Sequence, residues 1–163
     1  MDRFRIALDT YAFYRSRTLA LLERVAAEPD PIRVLGFRPG PGRAHIAWQL
    51  MHVGVTEELF ATERLVPGSQ PKDAALVARF RGGSVPDDDI PSLDMIRRVL
   101  DESRACLLAT LATFNESQLG WISPALSQRQ LTLGTVLDLL AWHEAHHQGQ
   151  AHLTMNLYKA ANG

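Results

Sequence analysis

One cysteine, Cys106, is the whole disulfide-forming capacity of this 163-residue chain, which excludes an intramolecular disulfide framework and fits a reducing cytoplasm. It lies in the apolar segment RACLLATLATF and reads as a small core residue. Long hydrophobic runs are also lacking: no stretch approaches the ~20 apolar residues that span a bilayer. The opening MDRFRIALDTYAFYRSRTL is interrupted by charges throughout and does not read as a signal peptide, so the expected setting is cytoplasmic. Net charge is nearly absent, at −1, with basic and acidic residues interspersed. That leaves no electrostatic footprint for nucleic acid, and no lysine run for a membrane surface. What is abundant is apolar material, 46% of residues, enough for one domain over residues 1–163 with a substantial core.

The apolar residues recur with helical period in four segments. In the first, about Asp2 to Ala27, Phe4, Leu8, Tyr11, Leu22 and Val25 follow three- and four-residue steps, and Pro29 and Pro31 end it. The second runs from about Arg43 to Leu65, between a PGPG turn and Pro67-Gly68. A third spans Ser92 to Phe114 with Ser92 as N-cap, Asp94 complementing the helix dipole, and a stripe of Leu93, Ile96, Leu100, Leu107 and Leu111. The last extends from near Thr132 to about Ala160 and ends in Asn-Gly. Residues 29–42, 82–91 and 116–130 read as irregular connections, with a short helix around Asp73 to Arg81. No repeat and no strand ladder is visible. The spacing predicts an all-α four-helix bundle with long connections and a short extra helix.

Six histidines are distributed unevenly over these segments, and three of them fall in the run HEAHHQGQ. On a helix wheel His143 and His147 lie roughly 40° apart, on a face shared with Val136, Leu139, Leu140, Gln150, Thr154 and Leu157. That face points into the bundle. Burying imidazole nitrogens without partners costs about 1–3 kcal/mol each, so an inward pair needs either carbonyl and water partners or a shared cation. His52 sits mid-way along the second helix with Trp48, Val55 and Leu59 on its face, and is the natural third ligand. His45, two turns earlier, is a second-best ligand near the mouth of the bundle. His146, roughly 60° from His143 on the wheel, is an alternative to His147, while His152 faces the opposite side and solvent.

HEAHH also satisfies the zinc-protease pattern HExxH, with Glu144 as general base. The rest of that signature is missing. Only 16 residues follow His147, none of them Asp or Glu, and the position three after it is Gln150 instead of glycine. Glu144 falls about 100° from His143, which places it on the helix surface or behind the ligands.

The segments IAWQLMHVGVTEELF and LGTVLDLLAWHEAHHQGQAHLTMNLY together resemble the DinB/YfiT-like superfamily, all-α proteins of similar length built as four-helix bundles. Trp48 and His52 match a W-x-x-x-H stretch of helix two, and His143, Glu144, His147, Gly149 and Gln150 match H-E-x-x-H-x-G-Q in the last helix. The resemblance implies that His52, His143 and His147 bind one divalent transition metal such as nickel, zinc or iron, and that the chain forms a homodimer. It also implies chemistry of the thiol-dependent kind, in which a low-molecular-weight thiol meets a small electrophilic substrate.

Three neutral imidazoles would leave a divalent cation its full charge and at least one open position, the catalytic kind of site. Such a metal lowers the pKa of a bound water or thiol. The leading reading is a metal-dependent enzyme activating a thiol or water nucleophile, a transferase or hydrolase. The alternative is a non-catalytic, metal-stabilised stress-response or binding module. Gln150, one turn beyond His147, and Glu144 are the supporting residues expected behind the ligands. Ordinary imidazole values predict that metal affinity falls as pH drops through about 6–6.5. No basic cluster close to the histidines announces an acidic substrate, although Arg43 or Arg129 fits the mouth of the bundle.

Overall fold

The structure is a computed structural model and describes residues 2–162. Its helices are α1 (Arg3–Ala26), α2 (Pro31–Gly36), α3 (Ile46–Leu59), α4 (Ala74–Phe80), α5 (Leu93–Leu111) and α6 (Leu133–Asn162). A π turn over Phe60–Arg64 prolongs α3, and two 3-10 turns lie between α5 and α6. Among the described residues there is no strand. Each long helix starts where a side chain satisfies one of its free N–H groups. Asp2 accepts from Arg5 N–H at 3.2 Å, Ser92 from Met95 N–H at 3.2 Å, and Thr132 from Thr135 N–H at 3.1 Å. At α3 the cap is His45, whose Nδ1 accepts from Trp48 N–H at 3.1 Å. That cap starts the helix at Ile46 rather than at Arg43.

The four long helices close a ring: α1 packs on α6, α6 on α3, α3 on α5, and α5 on α1. This is the expected bundle, and the short helix α4 lies within the segment predicted for it. The connection at 29–42 is not wholly irregular, however. Pro31 occupies the first turn of α2, where its missing N–H costs nothing, and Asp30 caps that helix. Proline there marks both the end of one helix and the start of the next. Helices α3 and α5 approach closely at Gly54, where an added Cβ would stand 2.7 Å from Val99 Cγ1 and 3.2 Å from the Val99 carbonyl oxygen.

Buried apolar residues form two clusters, one toward each end of the bundle. Leu22, Val25, Leu50, Ile96, Leu100 and Met155 belong to one, and Phe4, Tyr11, Phe60, Leu107, Leu111 and Leu137 to the other. Between them along the helices lies a charged layer made by Arg15, Glu57, Arg104 and Glu144, one residue from each long helix. Arg15 Nη2 donates to Glu57 at 2.9 Å and its Nε to Glu144 at 2.7 Å, while Arg104 donates to both carboxylates. Thr18 donates to Glu144 at 2.8 Å. Two arginines balance two glutamates, and among the described residues no buried side-chain nitrogen or oxygen lacks a partner. Leu8, read as part of the core stripe of α1, is 38% exposed, while Arg15 and Thr18 occupy that stripe instead. Cys106 is half-buried at the edge of the second cluster rather than enclosed in it, and lines a cavity with Lys72 and Glu102.

Candidate metal centre

His52, on α3, and His143 and His147, one turn apart on α6, come together at the level of the charged layer. Their ring centroids are 4.9 Å (His52–His143), 4.6 Å (His52–His147) and 4.4 Å (His143–His147) apart. One nitrogen from each lies within 4.8 Å of one nitrogen from both others. The structure therefore brings together the three residues singled out from the sequence.

The outer nitrogens explain the inner ones. His52 Nδ1 is 2.7 Å from the carbonyl oxygen of Phe80. A carbonyl only accepts, so Nδ1 carries the proton and Nε2 of the neutral ring turns a lone pair inward. His147 Nδ1 meets the side-chain oxygen of Gln49 at 2.5 Å, which imposes the same tautomer. His143 Nε2 stands 3.1 Å from His52 Nε2. A tetrahedral cation with nitrogens at about 2.0–2.1 Å separates two ligands by about 3.3–3.4 Å, close to that spacing. Trp48 holds the assembly from one side. Its indole stacks on His52 with centroids 4.6 Å apart and planes 15° from parallel, and its N–H donates to Ser84. Trp48 and the first histidine of W-x-x-x-H are thus one unit, the tryptophan being the wall that orients the ring.

Electrostatics favour neutral rings. Burial above all, with positive charge on His52, His146 and Arg64 adding to it, holds His143 down to about 3. Burial, then His143, His52 and His146, holds His147 down to about 3 as well. His52 is also lowered, by burial and then by Arg64, against the opposing bond to the Phe80 carbonyl. Neutral imidazoles with converging lone pairs are what a transition metal requires. This donor set fits a divalent cation.

The neighbouring histidines are accounted for otherwise. His45 is spent as the α3 cap, with Nε2 donating to the Asp87 carbonyl at 2.9 Å, so it is not a ligand. His146 lies on the exposed side of α6, stacked on Trp142 at 4.9 Å, and does not replace His147. Gln150 turns to His146 Nε2 at 2.7 Å and makes no hydrogen bond to the three ligands, which corrects its expected role. Glu144 is corrected too. It is 1% exposed and neither on the helix surface nor behind the ligands, because α6 packs against α1 as well as α3 and turns this residue into the charged layer. Held by Arg15 and Arg104, it is in no position to serve as the base of a protease. The residue that does stand behind a ligand is Gln49, missed in the sequence although it precedes His52 by one turn.

An all-α bundle that brings three inward histidines from two helices together is an arrangement compatible with metal binding. The DinB superfamily model matches residues 11–151, and the chain belongs to that superfamily. No curated protein and no solved structure matches it. Among the described residues no helix is long and apolar enough to cross a membrane.

Proposed function

We propose that this chain is a divalent-metal-dependent enzyme that activates a thiol or water nucleophile, in the manner of a thiol-dependent transferase. The observation that supports this reading is the pair of outer hydrogen bonds, His52 to Phe80 and His147 to Gln49. They occupy Nδ1 of both rings while one nitrogen from each of His52, His143 and His147 lies within 4.8 Å of the others. A cation such as nickel, zinc or iron held by His52, His143 and His147 would act as a Lewis acid, easing loss of a proton from a thiol or water at neutral pH. The chain's own part is to hold the rings neutral and oriented. Trp48 fixes the plane of His52, Gln49 fixes the tautomer of His147, and burial keeps protons off all three.

The test is metal content after expression with nickel or zinc, followed by assays pairing several low-molecular-weight thiols with a panel of electrophiles. Wild type is expected to carry one metal per chain and to turn over at least one pair, with both lost in His147→Ala. Equal, negligible metal in the two proteins sinks the site. Metal uptake with thermal stabilisation but no turnover, with thiol or water, supports the alternative of a metal-stabilised binding module. The single cysteine is what supports a reducing, cytoplasmic setting. We also propose a homodimer formed through the outer face of α6, where Trp142, Leu153 and Leu157 are exposed.

A further inference from the structure

Arginines that leave water need an anion. Among the described residues, Arg15, Arg38, Arg79, Arg97 and Arg104 are buried or half-buried, and every one has a carboxylate within ion-pair distance. Arg64 is the exception: it is half-buried and has no carboxylate and no side-chain acceptor among the described residues. Its guanidinium lies over the Phe60 ring, 4.5 Å from the centroid, so the side chain runs back along its helix toward His52.

Two further arginines share its surroundings. Arg64, Arg81 and Arg129 line one open cavity of about 460 Å³ with Glu63, Gln128 and Leu126. They arrive from three places, the π turn after α3, the end of α4 and the 3-10 turn before α6. Neither Arg81 nor Arg129 has an acidic partner among the described residues, and Glu63 is the lone carboxylate on the wall. Three positive charges thus face one negative. Burial, and repulsion from Arg129 and Arg81, depress Arg64 against the opposing pull of Glu63. A fold that gathers like charges in this way stores an unmet demand for a counter-ion.

The cavity adjoins the histidine centre. Arg81 directly follows Phe80, whose carbonyl holds His52, and an added Cβ at Gly82 would lie 3.8 Å from His52 Cε1. The charge of Arg64 also bears on both His52 and His143. This is the basic cluster that the sequence did not announce, since its members are 17 and 48 residues apart in the chain.

We infer that Arg64, Arg81 and Arg129 form an anion-recognition pocket, which grips the carboxylate or phosphate end of a small organic substrate while its reactive end reaches the three histidines. The volume exceeds that of a free oxyanion and suits an anionic group with a carbon chain attached. Guanidinium groups suit either oxyanion because their paired N–H donors match two oxygens at once. As to the substrate, this deepens the metal-dependent reading above and rests on it; the pocket itself does not.

Inorganic phosphate and acetate serve as separate probes, titrated at constant ionic strength against the full chain while arginine Nε–H resonances are followed. Wild type is expected to bind at least one of them saturably, with the stronger probe identifying the oxyanion. Arg81→Gln and Arg129→Gln, both at exposed positions, are expected to weaken it about tenfold each, the scale of one lost charge-assisted hydrogen bond. Arg64→Gln is expected to abolish it, with an unchanged melting profile. Absence of saturable binding to wild type, or equal affinity in all variants, overturns the pocket. Metal content measured on the same samples keeps the two ideas apart. Anion binding without metal uptake sinks the metal-dependent reaction and leaves the pocket standing, whereas metal uptake without anion binding does the reverse.

Discussion

An imidazole has two nitrogens, and whatever holds one of them decides what the other can do. At His147 that holder is Gln49, a buried amide whose oxygen accepts a hydrogen bond from Nδ1–H. Gln49→Leu removes the acceptor while leaving the helix and its packing volume nearly unchanged. Metal affinity is expected to weaken 10–100-fold, the usual effect of losing such a partner, in a chelator competition assay. Unchanged affinity would show that ring orientation comes from packing alone. Protons act at the same scale. His143 and His147 are held to about 3, whereas an unfolded histidine titrates near 6.5. Between those values the unfolded chain binds more protons, so stability rises with pH across that window and is lost as pH falls through it. The metal-free protein should therefore melt at falling temperature from about pH 6.5 downward and show little change from pH 7 to 8 from these groups. A flatter profile in His143→Gln is the check, and identical profiles would mean the rings are solvated. The same depression bears on metal binding. With His143 and His147 held below the ordinary imidazole range by burial, proton competition at these two ligands is expected to set in at lower pH than free imidazole values give, which metal titrations between about pH 7.5 and 5 check.

Helix α6 shows what an element adds to its residues. HEAHH faces three ways at once: His143 and His147 toward α3, Glu144 toward α1 and α5, and His146 with Trp142 toward water. Glu144 is part of a closed ring of charges, and removing one partner leaves an uncompensated buried charge on the others. Glu144→Ala is expected to cost about 3–5 kcal/mol in denaturant unfolding, through Arg15 and Arg104. A loss below about 1 kcal/mol, the level of an exposed pair, would show the layer to be hydrated. The sequence held a trace of this ring. Arg15 and Thr18 lie on the same helical stripe as Tyr11, Leu22 and Val25, but a search for apolar periodicity passes over a charged residue in such a stripe. Likewise α2 was hidden because six residues are too few to show a period, and its first proline reads as a breaker.

At the scale of the molecule, the ring of helices leaves one long face of α6 unpartnered. Trp142, Leu153 and Leu157 are 59%, 60% and 42% exposed along it, and Gly149, between them, has open space where a Cβ would stand. Apolar side chains so aligned favour a partner surface, and a second copy of the helix offers one of the same character. Sedimentation equilibrium is expected to give twice the chain mass of 18.1 kDa, falling to the monomer in Trp142→Glu without loss of helical signal. A monomeric wild type would remove the homodimer proposed here.

Period and spacing in the sequence determined the four helices and the inward direction of His143 and His147, because both follow from a repeat of 3.6 residues that needs no knowledge of neighbours. They also made His52 the third candidate, since its own helix buries that face. Tertiary structure alone decided the rest. That Gln49 rather than Gln150 supports a ligand, that Glu144 joins a charged layer, and that Arg64, Arg81 and Arg129 share a cavity all depend on which helix or turn lies opposite. A side chain's partner is set by packing between distant segments, and no local pattern encodes that.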